Sequence, residues 1–137
     1  MNQTERRLFL ILSLLDEREE YNNMEIPKDE PGQKRMLRSL MNVREPGQIG
    51  DRFLTVQDDY LKEAVREKGV TDYSSLEPVE TGIYLWQGDI TTLKCDAIVN
   101  AANSGMTGCY VPCHNCIDNP IPFQITHKYL SSARASA

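Results

Sequence analysis

Between Gly82 and Asn119 the chain reads GIYLWQGDITTLKCDAIVNAANSGMTGCYVPCHNCIDN, and this stretch limits what the whole can fold into more than any other. It contains both apolar runs that read as sheet strands. Ile83-Tyr84-Leu85-Trp86 is short and ended by Gln87-Gly88-Asp89, as expected of a strand closing in a tight turn. A second strand is expected from about Asp96 to Val99. Its Ala97-Ile98-Val99 core is apolar without alternation, the pattern of a strand covered on both faces. A buried parallel strand followed by polar residues places those residues at the carboxyl edge of a sheet, where open α/β sheets bind ligands.

Upstream the pattern is helical. Gln3 to about Glu20 reads as a helix, with Thr4 as N-cap and Leu8, Ile11, Leu12 and Leu15 as its apolar stripe. Tyr21–Gly32, with Pro27 and Pro31-Gly32, reads as a loop. A second helix is expected from about Gln33 to Val43, carrying Met36, Leu37, Leu40 and Met41 on one face. Pro46-Gly47 and Gly50 break the chain again. A third helix is expected over Asp58 to Lys68, with Leu61 and Val65 on its apolar side and Gly69 as its terminal glycine. Nothing in these helices has catalytic spacing, and they read as a cap packed on the strand-bearing region downstream.

With 137 residues and 40% apolar content the chain can bury one domain's core. A formal charge of −5 and a pI near 5.0 leave no clustered basic face for nucleic acid. The run Leu8–Leu15 is too short to span a membrane, and charged residues flank it without a small-residue cleavage site, so it reads as a buried helix. The expectation is a cytoplasmic monomer with neither nucleic acid nor membrane as partner. Its four cysteines then read as thiols or metal ligands rather than disulfides.

Three groups of residues could carry chemistry. Cys109, Cys113, His114 and Cys116 lie within eight positions and supply the thiolate and imidazole donors that zinc favours. The same residues also read as reduced loop thiols beside a surface histidine. Asn100 and Asn103 flank two alanines small enough to let a ligand approach, although asparagines at a strand end also simply form turns. Asp89, after Gly88, can cap the next turn or accept a hydrogen bond from an exocyclic amine of a bound base. The small-residue loop Ser104-Gly105-Met106-Thr107-Gly108 lacks the spacing of a P-loop.

Taken together, GDIT…DAIVNAANSGMTGCYVPCHNCIDN resembles the first half of a macrodomain, the ADP-ribose-binding fold. More narrowly it resembles the bacterial zinc-containing macrodomains, protein-ADP-ribose hydrolases with a helical N-terminal extension. The resemblance implies an α/β fold, namely the N-terminal half of a three-layer macrodomain sheet preceded by that extension. Residues 1–75 would be the extension, 76–119 the partial macrodomain and 120–137 an aberrant or disordered tail. It implies that Asp89 accepts the adenine amino group, that the backbone of Ile90 supports the same ring, and that Asn100 and Asn103 meet the substrate. Asn103 would be catalytic, orienting the distal ribose. Cys109, His114 and Cys116 would hold Zn2+ in a C-x4-H-x-C set, with Cys113 outside it. The implied substrate is a mono-ADP-ribosylated protein, and the alternative is a module that binds ADP-ribose without cleaving it.

After Asn119 the resemblance stops. Pro120-Ile121-Pro122 stands where the family continues with a helix, and the end reads as truncated or frameshifted. A half-sheet forfeits burial comparable to a domain's net stability of about 5–15 kcal/mol. The chain is therefore expected to be marginally stable and weakly active or inactive.

Overall fold

The computed structural model describes residues 1–44, 47–99, 104, 109, 111 and 112. Its first element is helix α1, Gln3–Leu15, and the cap is Asn2 rather than Thr4. Asn2 Oδ1 accepts from the Glu5 amide at 2.9 Å while Glu5 Oε2 accepts from the Asn2 amide at 2.9 Å, a reciprocal capping box. The helix stops at Leu15, short of the expected Glu20. No basic residue stands in its last turn, and Asp16 and Glu17 would place negative charge against the carbonyl end. A single 3-10 turn over Glu19–Tyr21 comes next.

Helix α2 runs from Glu30 to Val43 and begins inside the stretch read as a loop. Asp29 caps it, with Oδ2 accepting from the Gly32 amide at 2.8 Å. Pro31 is tolerated because the first turn needs no amide donor there. Gly32 is required by close approach, since a Cβ there would lie 2.6 Å from Pro27 Cβ and 2.8 Å from Asp29 Oδ1. Helix α3, Asp51–Lys68, starts seven residues before the expected Asp58, and Phe53 and Val56 extend its buried stripe to Tyr60 and Leu61.

The three stripes meet in one core: Leu10, Ile11, Leu14 and Leu15 from α1, Leu37, Leu40 and Met41 from α2, and Phe53, Val56, Tyr60 and Leu61 from α3. Each fully buried leucine or isoleucine contributes about 1.5–3 kcal/mol by leaving water. Leu12, expected on the stripe, is instead 56% exposed. Arg7 occupies a stripe position one turn before Leu10 and Ile11 and is 2% exposed. Its guanidinium reaches Gln33 Oε1 at 3.0 Å, Glu30 Oε1 at 3.4 Å and Thr4 Oγ1 at 3.4 Å. At the other end of the bundle Arg44 Nε donates to both oxygens of Glu17, at 3.0 and 2.8 Å, tying the residue after α2 to the residues after α1.

Gly69, at φ 85°, ends α3 as expected and turns the chain into strand β1, Thr71–Asp72. Strand β2, Pro78–Glu80, and strand β3, Ile83–Tyr84, form an antiparallel hairpin through Thr81-Gly82. Gly82 has φ 75°, a conformation that other residues adopt only with strain. The Tyr73 and Tyr84 rings meet edge-on at 5.6 Å. Strand β4, Leu93–Lys94, runs parallel to β1 in the register Thr71↔Leu93 and Asp72↔Lys94. Among the described residues the architecture is mixed α/β, with three helices followed by short strands in two small sheets.

Two strand expectations are corrected. Leu85 and Trp86 lie outside β3, and no strand covers Asp96–Val99. Val99 is 95% exposed rather than sandwiched. A doubly covered parallel strand takes its cover from neighbouring strands and crossover helices. Among the described residues the ladder beside β1 ends at Lys94, and nothing pairs with Ala97–Val99.

Candidate functional site

The polar turn between β3 and β4 is built around Asp89. Trp86 folds its indole against Gly88, so a Cβ at Gly88 would run into the ring, with Cη2 at 2.7 Å and Cε2 at 2.8 Å. Glycine at 88 lets the indole lie against the backbone and delivers the chain to Asp89. Asp89 then caps the 3-10 turn Ile90–Thr92. Its Oδ1 accepts from the Thr91 amide at 3.1 Å and the Thr91 hydroxyl at 2.6 Å. Its backbone carbonyl accepts from the Thr92 amide at 2.9 Å and the Thr92 hydroxyl at 2.8 Å. Thr92 is buried and leads directly into β4.

The other carboxylate oxygen faces a residue that sequence reasoning misses. Lys68 Nζ, in the last turn of α3, donates to Asp89 Oδ2 at 2.8 Å. The Lys68 ammonium and then the Thr91 hydroxyl hold the Asp89 carboxyl well below its usual range, at about 2. The group is therefore a permanent anion at neutral pH, and its side chain is still 45% exposed. In the sequence Lys68 reads only as a basic residue at a helix end, and its partner is 21 positions away. No local pattern pairs them.

A second ion pair links strand β4, which follows the turn, to β1. Lys94 Nζ donates to Asp72 Oδ2 at 2.8 Å, adding a side-chain link to the β1–β4 register. Lys94 first, then the Ser74 hydroxyl and amide, hold Asp72 at about 2 as well. Ile90 is half-buried, and its backbone opens the 3-10 turn directly beside Asp89.

Asp89 and Ile90 are thus adjacent on one ordered turn, and of the expected metal donors only Cys109, half-buried, is described. Asn100, Asn103, Cys113, His114 and Cys116 lie outside the described residues. Among the described residues no three histidine, cysteine or acidic side chains gather as a metal set. No helix among them is long and apolar enough to cross a membrane.

Comparison with known proteins supplies what this turn alone does not. No family model matches the chain. A protein named protein-ADP-ribose hydrolase from Treponema medium is 59% identical over 126 residues, covering 88% of this chain. One of the same name from Staphylococcus aureus (strain MRSA252) is 43% identical over 114 residues, covering 82% of it. This chain is a partial homologue of the protein-ADP-ribose hydrolases. It spans 48% and 42% of the length of those two relatives, about half. A probable bifunctional ADP-ribose hydrolase/ADP-ribosyltransferase from Fusarium oxysporum f. sp. cubense is 41% identical over 97 residues, which are 63% of this chain and 16% of that protein. The name shared by the Treponema and Staphylococcus homologues agrees with the activity that the Gly88–Asn119 stretch as a whole implies by resemblance.

Proposed function

We propose that the chain carries the adenine-binding turn and the metal-donor loop of a macrodomain-type protein-ADP-ribose hydrolase, acting on mono-ADP-ribosylated protein. One observation carries it. Asp89 is an exposed, permanently ionised acceptor held at the mouth of a capped turn, in a chain 59% identical to a protein-ADP-ribose hydrolase. Such a carboxylate takes a hydrogen bond from the adenine 6-amino group, and the Ile90 backbone beside it supports the ring. Asn100 and Asn103 come after the apolar Ala97-Ile98-Val99 run, and Asn103 would orient the distal ribose through its amide. The released products are free ADP-ribose and the unmodified side chain.

Cys109, His114 and Cys116 form the thiolate–imidazole set that zinc favours, and Cys109 is a half-buried sulfur donor. When bound there, zinc supplies Lewis acidity at the ribose. The His114 nitrogen not used for metal then needs a hydrogen-bond acceptor to fix its ring.

Among the described residues, the contacts that hold the Asp89 turn come from residues up to Lys94 and not from Cys109. On this reading adenine binding at Asp89 and metal-assisted cleavage are separable. The test is titration calorimetry with ADP-ribose alongside release of ADP-ribose from a mono-ADP-ribosylated protein. Asp89→Ala should weaken binding, whereas Cys116→Ala or chelator should stop release and spare binding. Undiminished release in chelator would remove the zinc role, and absence of ADP-ribose binding by this chain would remove the nucleotide role.

A further inference from the structure

We infer that Lys68 is a positioning residue for the incoming adenine amino group, acting through Asp89. The inference rests on the nucleotide-binding role just proposed for that carboxylate. Its basis is the number of acceptor positions. An ionised carboxylate offers about four lone-pair sites, two on each oxygen. Oδ1 spends both on Thr91, at 3.1 and 2.6 Å, and Oδ2 spends one on Lys68 at 2.8 Å. Among the described residues one acceptor position is left, on Oδ2, beside the ammonium.

Three bonds from two different elements also fix the plane of the carboxylate. Thr91 alone, held on the adjacent turn, would hold Oδ1 and leave Oδ2 to swing about it. Lys68 comes from the end of α3, whose own face is locked into the helical core through Tyr60 and Leu61. The Lys68 side chain thus ties the helical unit to the ligand-facing turn, and it aims the lone pair left open among the described residues. A 6-amino purine presents an N–H to that position. A 6-oxo purine presents an oxygen to it and is disfavoured.

The experiment compares ADP-ribose with its hypoxanthine counterpart, inosine diphosphate ribose, on this chain and on Lys68→Met, Lys68→Gln and Lys68→Arg. The parent chain should prefer the 6-amino ligand. In Lys68→Met and Lys68→Gln that preference should fall about tenfold, the scale of one charge-assisted hydrogen bond, with the 6-oxo affinity unchanged. Lys68→Arg, which keeps a donor on Oδ2, should restore most of it. Equal weakening of both ligands would make Lys68 merely structural and overturn the inference while leaving the nucleotide site standing. An unchanged preference would do the same. Binding of neither ligand by the parent chain would overturn the nucleotide site and this inference together.

Discussion

Arg7 donates through Nε to Gln33 Oε1 at 3.0 Å inside the helical bundle, and Gln33 passes the link on by donating to the Pro27 carbonyl at 2.9 Å. A buried guanidinium is tolerable only while its donors are matched. Gln33→Ala removes the best-placed acceptor and should cost about 1–3 kcal/mol, the penalty of an unmatched buried donor. Arg7→Met, which removes the charge and keeps much of the volume, should cost less. Denaturant unfolding of both variants checks the order, and the reverse order would show that the pair itself stabilises the bundle.

Gly32 sits where the α2 cap closes over Pro27. Gly32→Ala drives a methyl into Pro27 Cβ and Asp29 Oδ1, so overpacking and loss of the cap act together. The expected loss is about 1–3 kcal/mol. Asp29→Ala, which loses only the cap, should cost about 1 kcal/mol. Thermal unfolding followed by helical circular dichroism distinguishes the two.

The two leucines at 10 and 12 should respond in opposite ways. Leu10 is fully buried, and Leu10→Ala should lose about 2–5 kcal/mol. Leu12 faces outward, and Leu12→Ala should change stability by no more than about 0.5 kcal/mol. A large loss at Leu12 would mean that its face is covered in solution.

Acid should loosen the strand region in a defined window. Asp72 and Asp89 are both held at about 2 against an ordinary 3.8. A carboxyl depressed by folding stabilises the fold fully above the unfolded value, and the contribution is lost as pH falls from there through about 2. Protection of amides in the Asp89 turn and the β1–β4 pair, taken relative to the intrinsic exchange rate at each pH, should fall across that window. Asp89→Asn should abolish the response at the turn while leaving it at Asp72.

For α2 and α3 the helix ends are more legible than the starts, whereas for α1 the start at Gln3 is legible and the end is not. Gly69 and the Pro46-Gly47 break stand just after their helices and are easy to read. Asn2 escapes notice because its capping box with Glu5 precedes the first leucine, and Thr4 looks as good. Asp51 escapes it because Gly50 offers no side-chain cap, so only the spacing of Phe53, Val56 and Tyr60 marks the earlier start. Along Leu8–Leu15 the leucines run nearly all round the helix, and which of them are buried is decided by α2 and α3 rather than by local period. The Asp96–Val99 strand rests on apolarity alone, which cannot supply a hydrogen-bonded neighbour. At the site, the capping role of Asp89 is legible in Gly88-Asp89, whereas the Lys68 contact exists only through the fold. The metal-donor set remains an expectation from sequence at His114 and Cys116, which lie outside the described residues.

The parallel pairing of Thr71 with Leu93 has a kinetic consequence. The helices form from neighbours and need only short connections closed, while this ladder must bring distant segments together before any bond rewards the closure. During refolding, pulse-labelled amides of α1 to α3 should become protected first, and those of Leu93 and Lys94 last. The nucleotide turn would then be assembled onto a finished helical platform, with Lys68 already waiting at its edge.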